Sequence, residues 1–219
     1  MLTLALETAT IPGSVALTDE LETLAIRHFE KSERTVQWLA PAIRQLLVEQ
    51  ELTPADLDLI GLVEGPGSFT GLRIGVTTAK MLGYALECPL VALNTLDVIA
   101  FQANETSADR LDVVMNAQRK ELFVKSYQKD DGHWTPLADV QVLSFPAWMN
   151  RLGSGVAVTG PELARIDAEQ LGEATIVDSS RWQPTAISVA DLARQHLAKH
   201  PPHDLWKLVP QYYRKSYVE

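Results

Sequence analysis

The chain has 219 residues, a formal charge of −9, and 46 % apolar against 21 % charged side chains. A chain this acidic lacks the basic footprint with which a dedicated nucleic-acid binder neutralises phosphates. One cysteine, Cys88, excludes an intrachain disulfide and fits a reducing compartment. No apolar run nears the roughly 20 residues of a membrane span, and the opening MLTLALETAT, with Glu7 inside it and no basic start, does not read as a secretory leader. The expectation is a cytoplasmic globular protein.

In chain order, Leu2–Thr8 reads as a buried strand, followed by a turn at Ile11–Ser14 and strands over Ser14–Asp19 and Glu22–Glu30. The period then lengthens. Val36, Leu39, Ala40, Ile43, Leu46 and Leu47 form a helical stripe with Ser32 as N-cap, which Pro41 should kink or interrupt. Leu57–Gly65 is a buried strand, Gly71–Leu86 a helix, Pro89–Thr95 a strand and Thr95–Ala103 a helix. The second half repeats the plan. Leu111–Ala117, Leu122–Lys129 and Trp134–Ser144 are strands joined by turns, followed by a helix at Pro146–Leu152 and a strand at Gly155–Gly160. A helix over Pro161–Gln170, a strand over Ala174–Asp178 and a helix over Thr185–His200 complete it. Three antiparallel strands and then alternating helix and strand, twice over, predict an α/β protein of two βββαβαβα halves, the layout of the actin-like ATPase fold. The weakest join is Ala103–Arg110, so the halves are expected at 1–105 and 106–219.

The most structured stretch is GPGSFTG, Gly65 to Gly71, at the opening of a helix. It is not a P-loop, because Leu72 and Arg73 stand where lysine and a hydroxyl residue are needed, and Thr70 spoils the dinucleotide spacing. Its amides, with Gly65, Gly67 and Ser68, could hold an anion at a helix N-terminus, or the loop could simply end a buried strand. The helix behind it carries Gly71, Gly75, Ala79 and Gly83 along one face, although each glycine costs roughly 1 kcal/mol relative to alanine. Such a face lets another backbone approach closely, either a partner's or the protein's own.

An actin-like phosphotransferase would want an acid at the end of each half's first strand. Glu7 stands there in the first half, but Asn116 in the second cannot act as a base. His196 and His200 share a helix face, yet they lack a further ligand in register, so no metal site is expected. The closing YYRKSY, Tyr212–Tyr217, interleaves aromatic and basic residues and would either touch RNA or pack back on the body.

LALETATIPGSVAL, GPGSFTGLRIGVTTAKML, NTLDVIA and VPQYYRK together resemble the bacterial YeaZ/TsaB family, glycoprotease-like proteins of the ribonuclease H-like, actin-like (ASKHA) fold. The resemblance runs along nearly the whole chain. It implies a non-catalytic accessory subunit in threonylcarbamoyladenosine modification of tRNA. The implied partners are the catalytic paralogue TsaD in a heterodimer, the ATPase TsaE, and TsaC as supplier of the threonylcarbamoyl-adenylate, with tRNA met mainly through the complex. It leaves room for a homodimer when the partner is absent and for ATP or ADP at the complex interface. The resemblance implies contact through the first helix and the helix after the glycine loop, hence Val36, Leu39 and Ile43 with Gly71, Gly75, Ala79 and Gly83. Glu7 stands where the family commonly has Asp, and Asn116-Ala117-Gln118 where it commonly has Asp-Ala-Arg, so nucleotide chemistry on this chain is not expected. The alternative is a stand-alone actin-like phosphotransferase using Glu7 and the glycine loop.

Overall fold

The computed structural model describes residues 1–30 and 35–214; the expected N-cap Ser32 and the tail beyond Arg214 lie outside them. Two compact units are present, Met1–Thr95 with Pro184–Gln211, and Leu96–Gln183 with Tyr212 onward.

The first unit is built on a five-stranded sheet of β1 (Thr3–Glu7), β2 (Ser14–Thr18), β3 (Thr23–His28), β4 (Leu59–Gly65) and β5 (Leu90–Asn94), ordered β3-β2-β1-β4-β5. β1 and β2 are buried along their whole length, as continuous apolar runs covered on both faces should be. Leu4, Leu6, Val15, Leu17, Ile60 and Leu62 meet helices α1 (Thr35–Glu49) and α2 (Phe69–Leu86). The other face is shallow. Ala5 pairs with Ala16 on one side and Gly61 on the other, a row of small residues across three strands. Over it lies α5 (Ala186–Leu197) with its own small face of Ala186, Ala190 and Ala193. A Cβ on Gly61 would stand 2.9 Å from that of Ala193. The Ala186 amide donates to Ser14 Oγ at 2.9 Å and fixes where the helix starts.

Pro41 does not interrupt α1, interruption being one of the two outcomes expected of it. It lies on the exposed side of the helix, as does Gln37, so the carbonyl left without its N–H faces water and not the core. α2 starts two residues earlier than expected, capped by Ser68, whose Oγ accepts from the Gly71 amide at 3.2 Å.

The second unit holds β6 (Arg110–Asn116), β7 (Glu121–Asp130), β8 (His133–Pro136), β9 (Gln141–Ser144), β10 (Val156–Thr159) and β11 (Thr175–Ile176), ordered β11-β10-β6-β7-β8 with β9 also on β7. The expected strand Trp134–Ser144 is thus two strands, β8 paired with the far end of β7 and β9 with its beginning. The expected helix Pro161–Gln170 is two 3-10 turns, Pro161–Arg165 and Ala168–Leu171, divided at an extended Ile166. Helix α3 (Thr95–Gln102) packs Leu96, Ile99 and Ala100 against Leu111, Val113 and Met115. The opposite face is filled by Trp148, from α4 (Phe145–Met149), with Leu163 and Leu171.

With β8 and β9, which both pair with β7, counted together as a third strand, each sheet numbered within its own half has the order 3-2-1-4-5, so the duplicated actin-like plan is present. The expected boundary near residue 105 is corrected. The last helix of each half belongs to the other half's unit, α3 to the second and α5 to the first, because each helix's apolar face is buried in that unit's core.

Candidate functional site

β1 ends at Glu7, and the chain turns back on that side chain. Glu7 Oε1 accepts the amides of Ala9 at 2.8 Å and Thr10 at 3.0 Å, and Oε2 accepts Thr10 Oγ1 at 2.8 Å. Glu7 is fully buried; burial lifts its pKa from the ordinary 4.5 to about 7, against the smaller opposing pull of those hydrogen bonds. Both oxygens are engaged by the turn, so in this geometry the carboxyl organises the β1–β2 connection and does not project toward a ligand.

The glycine loop is sewn onto the same turn. The Ser68 amide donates to Ala9 O at 2.8 Å, and a Cβ on Gly67 would lie 2.5 Å from that of Ala9. Gly65 has φ +132°, a conformation open to glycine, and a Cβ there would meet Gln211 O at 2.5 Å. Gln211 in turn donates its amide to Glu64 O at 2.7 Å. Two of the donors an anion would use, the Ser68 and Gly71 amides, are therefore already taken.

The small-residue face of α2 turns inward. A Cβ on Gly71 would approach Thr8 O to 2.0 Å, one on Gly75 would approach Thr8 Oγ1 to 2.2 Å, and one on Gly83 would press on Leu90 at 3.0 Å. Ala79 is fully buried in the core, with Leu39 and Ile43 of α1. The expectation that these residues form a partner face is corrected on that ground. The backbone that approaches the glycines is the protein's own, at Thr8. Of the seven positions expected at the partner face, only Val36 is exposed.

The opposite face of α2 is what sequence spacing left unremarked. Phe69, Arg73, Thr77, Met81 and Tyr84 follow one another along its outer side, all exposed. The Arg73 guanidinium sits 3.9 Å from the centre of the Phe69 ring, and Trp206 meets Tyr84 edge-on at 5.6 Å. α1 adds exposed Val36, Pro41 and Val48, with Trp38 under Arg27 at 5.6 Å. Met81 and Tyr84 are both more than 60 % exposed, a high value for large apolar side chains on neighbouring turns. Their signal in the sequence was the apolar residues outside the stripe that packs on the sheet.

In the second unit, Asn116 donates through Nδ2 to both carboxylate oxygens of Glu162, at 2.9 and 3.0 Å, and accepts the Gln118 amide at 2.7 Å. Gln118, Arg119 and Lys120 then turn the chain with three successive positive φ values. Arg214 holds this turn through Ala117 O at 2.6 Å and Glu121 Oε2 at 2.9 Å, and Tyr213 meets Phe123 edge-on, so the described start of the tail packs on its unit. Sequence reasoning missed Lys125, a cation within an apolar strand. Its Nζ donates to Asp97 Oδ1 at 2.6 Å, the oxygen that also accepts Tyr127 OH at 2.7 Å. Among the described residues no group of three His, Cys, Asp or Glu side chains is arranged to hold a metal, and no helix is long and apolar enough to cross a membrane.

The family model for TsaD, tRNA N6-adenosine threonylcarbamoyltransferase, matches residues 30–200. The tRNA threonylcarbamoyladenosine biosynthesis protein TsaB of Bacillus subtilis (strain 168) is 32 % identical over 155 residues, covering 69 % of this chain and 66 % of that protein. TsaB of Escherichia coli (strain K12) is 34 % identical over 134 residues, covering 60 % and 57 %. The match thus spans less than two thirds of either relative's length. YeaZ from Pseudomonas aeruginosa superposes with a TM-score of 0.78 at 26 % identity, over 96 % of this chain and 99 % of that one. An activator of 2-hydroxyisocaproyl-CoA dehydratase from Clostridium difficile shares the fold alone, with a TM-score of 0.51 at 8 % identity over 93 % and 100 %. Sequence, fold and the glycine loop's place within it agree: the chain belongs to the YeaZ/TsaB family, within the wider family that the TsaD model describes.

Proposed function

We propose that this chain is a non-catalytic accessory subunit in the biosynthesis of threonylcarbamoyladenosine on tRNA, and that it docks on a TsaD paralogue through the outer faces of α1 and α2. The observation that carries the reading is the exposed apolar row Phe69, Met81 and Tyr84 on α2, together with exposed Val36, Pro41 and Val48 on α1. Two neighbouring amphipathic helices with apolar outer faces suit packing against a second helix pair. The non-catalytic role is supported by Glu7, spent on its own turn, and by Asn116, an amide tied to Glu162.

In this reading TsaE joins the assembled complex, TsaC supplies its activated substrate, and tRNA is met mainly through other subunits. ATP or ADP is then a ligand of the complex and not of this chain. A homodimer through the same face forms when the partner is absent, and the compartment is the cytoplasm.

Light scattering on a sizing column, with this chain and the TsaD paralogue of the same genome, tests the proposal. A one-to-one complex is expected, weakened at least tenfold by Met81→Glu with the melting temperature unchanged. Absence of a complex under every nucleotide condition, joined to magnesium-dependent ATP turnover by the chain alone, would replace it with the phosphotransferase reading.

A further inference from the structure

Beyond Leu197 the chain leaves α5 and runs as a strap across the first unit. His203 sits on β5, the edge strand of the sheet, and is joined to it by one backbone and one side-chain hydrogen bond. Its amide donates to Leu90 O at 2.8 Å, and its imidazole Nδ1 accepts the Ala92 amide at 3.3 Å. The strap then lays Trp206 against Tyr84, takes a hydrogen bond from Lys80 Nζ to Leu208 O at 2.9 Å, and reaches Glu64 through Gln211. It therefore follows α2 from its C-terminal end back to the glycine loop.

We propose that His203 is a proton-sensitive latch that holds this strap on β5. Only neutral imidazole can accept the Ala92 N–H, because protonated Nδ1 presents an N–H of its own. The surroundings favour the neutral form. His196 stacks on His203 with ring centres 5.4 Å apart, and His200 lies 4.7 Å from His196, so charge on one ring opposes charge on the next. β5, Leu-Val-Ala-Leu-Asn, brings no ionisable side chain. On the strap, Asp204 is engaged with Lys207 and the Trp206 amide, while Lys80 of α2 is another cation. Leu90 O offers a protonated ring a partial alternative, but it already accepts the His203 amide, and burial outweighs it. Burial lowers the pKa of His203, and burial with the two neighbouring rings lowers that of His196.

The sign follows. A base whose pKa is lower folded than unfolded contributes fully above the unfolded value, near 6.5, and loses that contribution as the pH falls below it. The latch is closed at neutral pH and opens on acidification, uncovering the β5 edge and moving Trp206 off the outer face of α2.

Amide hydrogen exchange on the full chain, corrected for the intrinsic pH dependence, tests this. Between pH 7.5 and pH 5.0 the Ala92 amide is expected to lose protection at least tenfold while Leu62, in the centre of the sheet, keeps its own. His203→Asn retains an acceptor that cannot be protonated in this range and should hold Ala92 equally at both values. His203→Ala should leave it unprotected at both. Equal protection of Ala92 at the two pH values in the unaltered chain would overturn the latch, as would an undiminished loss in His203→Asn.

Discussion

Glu7→Gln should make this protein more stable at neutral pH, and the gain should disappear on acidification. The folded chain holds the Glu7 carboxyl at a pKa of about 7 against 4.5 when unfolded, because burial outweighs three hydrogen bonds. Between those values the folded state binds more protons, so stability falls as pH rises through the window and levels off above pH 8. At about 1.4 kcal/mol per pH unit, the displacement corresponds to about 3 kcal/mol at the plateau. Glutamine removes the ionisation and can keep the turn. Its Oε1 still accepts from Ala9 and Thr10, and its Nε2 donates to Thr10 Oγ1, which can in turn donate to Pro12 O, 3.3 Å away. Urea titrations of both proteins at pH 5, 6, 7 and 8 give the difference. It should be smallest at pH 5, just above the unfolded pKa of 4.5, and grow by about 1–3 kcal/mol on going to pH 8. A difference that is flat with pH, or a variant that is weaker at pH 8, would show that the carboxylate's hydrogen bonds outweigh its burial and would refute the reasoning.

Two further outcomes follow from the packing. Gly75→Ala puts a methyl 2.2 Å from Thr8 Oγ1 and should cost about 1–3 kcal/mol in chemical denaturation, part of it recovered by adding Thr8→Ala; a neutral Gly75→Ala would mean that α2 does not lie on that turn. Asp97→Ala takes from Lys125, which is less than a tenth exposed, the carboxylate its ammonium meets at 2.6 Å, and should lower stability by about 2–4 kcal/mol. Asp97→Ala combined with Lys125→Met should restore most of it, and failure to do so would place the importance of Asp97 in its bond to Tyr127 alone.

Much of the fold was legible because its signals are periodic. The α1 stripe of Leu39, Ile43 and Leu46, the run LTLALET and the repeated order of elements identify the sheets without reference to anything distant. Spacing also showed that α2 has a small-residue face, but not what fills it. That depends on where Thr8 lies, and Thr8 is brought there by the β1–β4 pairing, more than fifty residues apart in the chain. The Ala16–Ala5–Gly61 row is a similar case. Each residue reads locally as an ordinary strand position, and only register across three strands makes the seat for α5. An interruption at Pro41 was misjudged because a proline rule counts the lost hydrogen bond and ignores whether the orphaned carbonyl meets water.

The exchange of last helices between the two units bears on how the chain comes off the ribosome. The first sheet, with its row of small residues, is complete once residue 95 has emerged, but α5, which covers that row, lies beyond Pro184. At about 5–20 residues per second the first sheet waits on the order of 5–20 seconds with one apolar face bare. A nascent chain stalled or truncated anywhere between Thr95 and Pro184 would present that face to chaperones and to other stalled copies, so a stop just before α5 should be as damaging as one just after the first sheet.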